Sequence, residues 1–313
     1  MSKVLIGMDR SKSFRVYLTL STSLVEEARK IHETSPTGTA LLGRVLTATA
    51  LMGLMMKDDK SKLTLQFKGD GEAKEVLATA NAKGQVKGYI SNGQIYPPPK
   101  KNGKMDVGAG LDIGMLTVIK DFGMKEPYIG KLALVSGEIA DDLTAYFFIS
   151  EQQSTSVALS EKINEDGSVA FALGLIIQML PDGKAEAVTE LELMLDNLPP
   201  FSELVEEIMK ESRLKSDEGI LKALAERIFG IIDNEFKVDV LEFKEILWNC
   251  DCSNERLEKV VMSIGTKDLS QIIEEDGQAE LVCQFCTKKY HFDKAHLERL
   301  LAEALIKSNE IKE

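Results

Sequence analysis

The chain has 313 residues, 44% hydrophobic and 28% charged, a balance that excludes wholesale disorder and suggests about two domains. The net charge of −12 is uneven: residues 1–180 sum to +1 and residues 181–313 to −13. The acidic second part argues against a general nucleic-acid binder, because phosphate contacts need Lys and Arg.

Residues 1–14 read as polar, with Asp9, Arg10 and Lys12 breaking any apolar run, so no signal peptide is expected. Val16, Leu18 and Leu20 alternate and predict a strand over 14–20. Ser21 to Ser23 offer caps for a helix over 24–32, with Glu26 and Glu27 in its first turn. Pro36 suits the start of a second helix reaching residue 56. A strand over 63–67 leads into the turn Gly69-Asp70-Gly71, and strands over 76–80 and 86–91 follow. Such close spacing favours antiparallel pairing. The Pro- and Gly-rich stretch 96–110 reads as a long loop or edge, 115–120 and 129–135 as strands, and 138–151 as a helix. Asn164-Glu165-Asp166-Gly167 joins 157–163 to 168–180 as a hairpin.

Pro181-Asp182-Gly183 closes this region. A helix over 185–198 stops at Pro199-Pro200, and charged amphipathic helices over 202–212 and 218–228 flank a polar break at 215–217. A third region starts near Phe236 and holds every cysteine. The expected fold class is α+β. A core domain over 1–180 carries a mostly antiparallel sheet with packed helices. A helical linker spans 181–235, and a small carboxyl-terminal zinc-binding domain with a C-terminal helix spans 236–313. The longest apolar runs, 46–56 and 169–180, fall short of the ~20 residues of a membrane-spanning helix. A soluble, cytoplasmic protein with no membrane partner is expected.

In a reducing compartment, four cysteines point to metal or redox chemistry rather than structural disulfides. Cys250-Asp251-Cys252 and Cys283-Gln284-Phe285-Cys286 are two close pairs around a short folded insert, a metal-site pattern. Zn²⁺ takes four tetrahedral ligands, and a turn under each pair can present two sulfurs to it. Four thiolates around Zn²⁺ carry a net −2, so nearby donors or cations are needed, with Lys288 and Lys289 as candidates. One residue between Cys250 and Cys252 is shorter than the usual knuckle spacing. Spacing alone leaves a structural zinc ribbon and a redox role both open. Bound zinc keeps sulfurs as thiolates, the form that reacts with oxidants, and each has a neighbour that can resolve a sulfenic acid. Oxidation would remove ligands and with them roughly 10–16 kcal/mol of folding free energy, so a small zinc module is expected to unfold.

Other signals are weaker. His291 could replace a ligand, but four cysteines make that unnecessary; His296 is expected on an exposed helix face, and His32 to cap or pack a helix end. Few histidines and no Gly-x-Ser-x-Gly elbow argue against hydrolysis, and no catalytic residues are assigned. Gly38-Thr39-Ala40-Leu41-Leu42-Gly43-Arg44-Val45 has the glycine spacing of a phosphate loop but lacks its Lys-Ser/Thr. Gly108, Gly110 and Gly114 miss the dinucleotide fingerprint by one residue. Neither ATP nor NAD is expected. Met52, Met55 and Met56 sit at helical spacing and read as core, with an adaptable apolar surface as the alternative.

The sequence around the cysteines, Asn249-Cys250-Asp251-Cys252-Ser253, Ile272-Ile273-Glu274-Glu275-Asp276-Gly277 and Cys283-Gln284-Phe285-Cys286, resembles the zinc region of the redox-regulated heat-shock holdase chaperones, the thirty-three-kilodalton class. Ser35-Pro36-Thr37-Gly38 through Gly43-Arg44, Gly69-Asp70-Gly71, Lys125-Glu126-Pro127-Tyr128 and Ser136-Gly137-Glu138-Ile139-Ala140 match that family in order. The resemblance covers nearly the whole chain. It implies a cytoplasmic, ATP-independent chaperone, not an enzyme, with one Zn²⁺ held by Cys250, Cys252, Cys283 and Cys286 in an inactive reduced form. It implies that oxidants release zinc and form the disulfides Cys250–Cys252 and Cys283–Cys286. The zinc domain and adjoining linker then unfold, and the exposed apolar surface holds unfolding client proteins until foldase chaperones take them over. An active homodimer is expected. Asn254 stands where the family often has Arg, and Glu72-Ala73-Lys74 replaces a Pro/Gly-containing segment. The alternatives are a thiol–disulfide oxidoreductase, which would normally sit near a βαβ pattern, and a zinc-ribbon nucleic-acid protein, which the −13 charge disfavours.

Overall fold

A computed structural model describes residues 2–211 and 216–310, with the side chains of the last helix described as far as Ile306. Ser212, the expected end of one linker helix, and Lys215, the expected start of the polar break, lie outside the described residues, as do 311–313. The chain divides into two compact units, Met1–Asn249 and Cys250–Glu313. This differs from the three-part division read from sequence. The helical segment 185–229 belongs to the first unit, and so does 236–249, which was assigned to the zinc domain.

The first unit runs β1 (Ser2–Asp9), β2 (Phe14–Leu20), α1 (Thr22–His32), α2 (Pro36–Leu54), β3 (Lys62–Gly69), β4 (Glu75–Asn81) and β5 (Gln85–Ile90). It continues with β6 (Gly114–Asp121), β7 (Tyr128–Ala133), α3 (Ala140–Ser150), β8 (Thr155–Ile163) and β9 (Val169–Met179). The helices α4 (Ala185–Asn197), α5 (Phe201–Glu211) and α6 (Asp217–Phe229) lead to β10 (Val238–Trp248). The strands form one ten-stranded sheet in the order β7-β6-β3-β4-β5-β10-β1-β2-β9-β8. Neighbours pair antiparallel except β10 and β5, which touch in parallel at Leu247–Gln85 and Trp248–Val86. The fold is α+β, as the sequence led us to expect.

Two strands of this sheet were not anticipated. β1 carries Val4-Leu5-Ile6, a continuous apolar run without alternation, because both of its faces are covered. Val4 and Ile6 face one core, and Leu5 faces the other. β10 hides its period behind charges (Glu242, Lys244, Glu245) and pairs with β1 through the register Leu5–Phe243.

The first core is built around α2. Ser35 caps it by accepting from the Gly38 N–H at 3.2 Å, and Pro36 occupies the first turn. Every residue from Thr37 to Leu54 is buried except Arg44. The helix is long and apolar enough to cross a membrane by length and composition, but it is enclosed by protein. A Cβ on Gly38 would lie 2.2 Å from the Gly93 carbonyl oxygen, and one on Gly43 would lie 2.7 Å from Val25. The phosphate-loop-like glycine spacing therefore serves close packing. Gly108–Gly110 is a short 3-10 turn. Met52 is buried, and Met55 and Met56 pack partly buried against the same core. His32 Nε2 lies 3.0 Å from the Gly88 carbonyl and meets Trp248 edge-on, so it is a packing residue.

Arg44 faces two carboxylates: Nε donates to Glu161 at 2.9 Å, and Nη1 to Glu138 at 2.5 Å. Lys100 donates to the other Glu138 oxygen at 2.5 Å and ties the 96–110 loop to this group. Glu161 is fully buried, and its second oxygen has no hydrogen-bond partner among the described residues. Burial pushes its carboxyl up to about 7 although Arg44 opposes the shift. A carboxyl whose folded value lies above its unfolded 4.5 favours the folded state at low pH. That advantage is lost as pH rises from 4.5 through about 7. Glu161→Gln is expected to flatten this part of the stability profile, checked by unfolding midpoints of both proteins at about pH 5 and about pH 8. Arg44→Met, which strands the buried Glu161 and leaves Glu138 only Lys100 as a cation, is expected to cost about 3–5 kcal/mol in urea unfolding.

The second core lies on the other side of β1, β2 and β9. Leu5, Phe14, Val16, Leu18, Phe171 and Leu173 pack with one stripe from each of α4, α5 and α6. Leu204, Ile208, Leu221, Leu224 and Ile228, the apolar positions read from the linker sequence, are all buried there.

Candidate metal centre

The second unit contains α7 (Asn254–Ser263), α8 (Thr266–Glu275), β11 (Gln278–Val282), β12 (Lys289–Asp293) and α9 (Lys294–Glu310). Its core is small: Val261, Leu269, Ile273, Tyr290, Phe292, Leu297 and Leu300, with Cys283 among them.

Each cysteine pair sits where the backbone is fixed. One residue, Asn249, separates Cys250 from the end of β10, and Cys252 precedes α7, whose cap Ser253 accepts from the Arg256 N–H at 3.3 Å. Cys283 and Cys286 lie in the turn between β11 and β12. There the Cys283 N–H donates to the Lys288 carbonyl at 3.0 Å, and the Thr287 N–H to the Cys283 carbonyl at 2.8 Å. Thr287 takes a left-handed φ of 59° to close the turn. The four sulfurs lie within 4.8 Å of one another, and none is in a disulfide. Two contacts cross between the pairs: Cys250–Cys283 at 3.7 Å and Cys252–Cys286 at 3.4 Å. Cys283 is buried and the other three are half-buried. Four soft donors this close form a site able to hold a metal ion.

Tyr290, which the sequence reading missed, donates its hydroxyl to Cys252 Sγ at 3.0 Å. The signal for it was the alternation of β12, which buries Tyr290 and Phe292 and exposes His291. Burial opposes ionisation of Cys252, but the Tyr290 hydroxyl and the adjacent thiols outweigh it and bring this thiol down to about 7. Burial pushes Cys250 and Cys286 up. Of these three, ionisation is favoured at Cys252.

The charged neighbours are arranged differently from expectation. Lys289 pairs with Glu280 at 3.0 Å, and Lys288 lies 5.1 Å from the Tyr290 ring centroid. Arg256 instead pairs with Asp251, between the first two cysteines. His291 is exposed on β12, outside the thiol cluster. His296 is half-buried against Glu258 at 2.7 Å rather than on a free face.

An α+β unit followed by a small unit gathered around four free thiols defines a chain with a built-in metal-type module. The family model described as Hsp33 protein matches residues 2–293. The 33 kDa chaperonin of Alkaliphilus oremlandii is 43% identical over 309 residues, covering 98% of this chain and 99% of that protein. The 33 kDa chaperonin of Clostridioides difficile is 43% identical over 290 residues, 92% of this chain and 94% of that protein. The crystal structure of the 33 kDa chaperonin (heat shock protein 33 homologue) from Thermotoga maritima matches with a TM-score of 0.83 and 31% identity. It covers 97% of this chain and 98% of that one. The chain belongs to the Hsp33 family, whose named relatives are chaperonins, so chaperone is the class of activity the family supports.

Proposed function

We propose that this chain is a redox-regulated, ATP-independent holdase, inactive when reduced and zinc-bound and switched on by oxidation. The observation that carries this reading is four free thiols within 4.8 Å of one another in a unit with a very small core. The donor set suits zinc. With Zn–S bonds of about 2.3 Å, a tetrahedron has edges of roughly 3.8 Å. The cross-pair separations of 3.4 and 3.7 Å are close to that edge. Cys250, Cys252, Cys283 and Cys286 would hold one ion per chain. When bound, zinc keeps the four sulfurs as thiolates and supplies folding free energy to the unit.

Oxidation acts on the sulfurs. A peroxide takes two electrons from one thiolate to give a sulfenic acid and hydroxide, and a neighbouring thiolate then displaces a second hydroxide to form the disulfide, both hydroxides taking up protons from solvent to become water. The family resemblance assigns the pairs Cys250–Cys252 and Cys283–Cys286. With one pair oxidised only two thiolates remain, and with both oxidised none does, so the site would no longer hold a metal ion. The second unit and the helical segment 181–235 then loosen and expose apolar surface that holds unfolding clients. β10 gives the coupling a covalent route, since it ends at Trp248, just before Cys250, and α6 packs on it. The reading includes a cytoplasmic location, an active homodimer and hand-over of clients to ATP-dependent foldases.

The test is light scattering of a thermally unfolding client at matched concentrations of reduced, zinc-loaded and peroxide-oxidised protein, with zinc release and disulfide mapping in parallel. The oxidised form is expected to suppress aggregation without nucleotide, to lack zinc and to carry the two local disulfides. Equal suppression by the reduced form, or a requirement for ATP, overturns the reading. A dominant Cys250–Cys283 or Cys252–Cys286 link overturns the pairing.

A further inference from the structure

We propose that Tyr290 is a positioning residue for the metal centre: its hydroxyl holds the Cys252 sulfur in ligand geometry and strengthens the cluster's grip on a thiophilic metal ion. This rests on the reading that the four thiols bind metal.

The geometry behind it is specific. Tyr290 lies opposite Leu281 in the β11–β12 pair, with its ring 5% exposed among Val261, Phe292 and Leu297. A ring fixed in the core leaves its oxygen little freedom, and that oxygen reaches Cys252 Sγ at 3.0 Å. The bond joins the β12 segment to the other cysteine pair, 38 residues away in sequence. It therefore clasps the two halves of the site together. Lys288 lies over the Tyr290 ring at 5.1 Å, and a cation on the ring face draws electron density from the phenol and makes its O–H a better donor.

Cys252 is also the sulfur that needs such support. It lines an open cleft of about 530 Å³ together with Ser253, Lys288, Tyr290 and His291. Water and competing ligands reach the cluster from that side. Four thiolates on a divalent ion leave an excess of negative charge, and a neutral O–H donor offsets part of it without adding a second cation. Outer hydrogen bonds of this kind orient a ligand and commonly carry 10–100-fold in metal affinity.

The experiment uses the reduced full-length chain and two substitutions that keep the ring. Tyr290→Phe removes one oxygen, and Tyr290→3-fluorotyrosine supplies a stronger donor of nearly the same shape. Zinc affinity is read by chelator competition, and the cobalt-substituted proteins report the energy of the thiolate-to-metal charge-transfer band. Tyr290→Phe is expected to bind zinc about 10–100-fold more weakly. Its band is expected at lower energy, because a sulfur without its donor gives up an electron more easily. The fluorinated variant is expected to move the band the opposite way, and it decides the matter if Tyr290→Phe does not fold. Unchanged affinity and band energy in the variants, with a wild type that binds metal, overturn this inference alone. A wild type that binds neither zinc nor cobalt overturns the metal reading and this inference with it.

Discussion

Removing the metal from the reduced chain is expected to unfold the second unit and leave the ten-stranded sheet intact. A unit this short buries too little surface to offset its chain entropy comfortably. Its buried side chains are few, and one of them, Cys283, is itself a candidate ligand. Structural zinc contributes roughly 10–16 kcal/mol in small zinc-binding peptides, against about 5–15 kcal/mol for the whole stability of an ordinary domain. Without the ion, thiolates within 4.8 Å of one another repel, so the sulfurs cannot all ionise together at low cost. Amide exchange is the direct measurement. After chelation, β11, β12 and α8 are expected to lose protection, while β3 and β9 keep theirs and zinc restores the original pattern. Cys283→Ser is expected to show the chelated pattern even with zinc present. Retained protection of β11 and β12 in the metal-free chain would show that the small core suffices and that zinc is not the lock.

The thiol cluster was legible in the sequence because ligand spacing is a local property. Two residues between Cys283 and Cys286 and one between Cys250 and Cys252 already say that each pair shares a turn. Tyr290 was not legible in the same way, because its partner Cys252 lies on the other pair, 38 residues away, and only the folded unit brings them together. The strands that alternate, such as β3 and β4, could be read from sequence, as could the α2 start at Ser35-Pro36. β1 escaped because a strand buried on both faces does not alternate, and its flanking Asp9 and Arg10 made the whole stretch look polar. β10 escaped for the converse reason: much of it is exposed, so charges occupy positions that a buried strand would fill with apolar residues. Missing β10 moved the expected boundary from Asn249 back to residue 236. The linker helices were identified by their stripes, but a stripe shows only that something covers it. Identifying β1, β2 and β9 as that cover required the fold.

Leu224→Asp is expected to switch on client holding in the reduced, metal-loaded chain. Leu224 is fully buried in α6, beside Leu221 and Ile228 and over the face formed by Leu5, Phe14, Val16 and Leu18. Phe229, at the end of the same helix, stacks on Phe14 with ring centroids 6.4 Å apart. The ion pairs at the rim, Lys3–Glu218 at 2.6 Å and Lys162–Glu206 at 2.5 Å, are partly or largely open to solvent and screened, so they hold the helices only weakly. The latch is therefore the apolar contact itself. A carboxylate at position 224 has no cation to meet in that cluster, and an unpaired buried charge belongs to the substitutions that cost more than about 4 kcal/mol. Such a cost favours release of α6, and with it α5, over keeping the charge buried. Release uncovers both the sheet face and the helix stripes, the kind of contiguous apolar surface that captures unfolding chains. The acidic second half of the sequence favours solubility of the opened chain. Leu224→Ala, at about 2–5 kcal/mol, should act in the same direction but more weakly. Light scattering of a heat-unfolding client measures holding, chelator competition verifies that the metal stays bound, and amide exchange at β3 verifies that the first core survives. If α6 loses its protection, the metal stays, and the client still aggregates as it does with the reduced wild type, then the face beneath α6 is not the surface that holds clients.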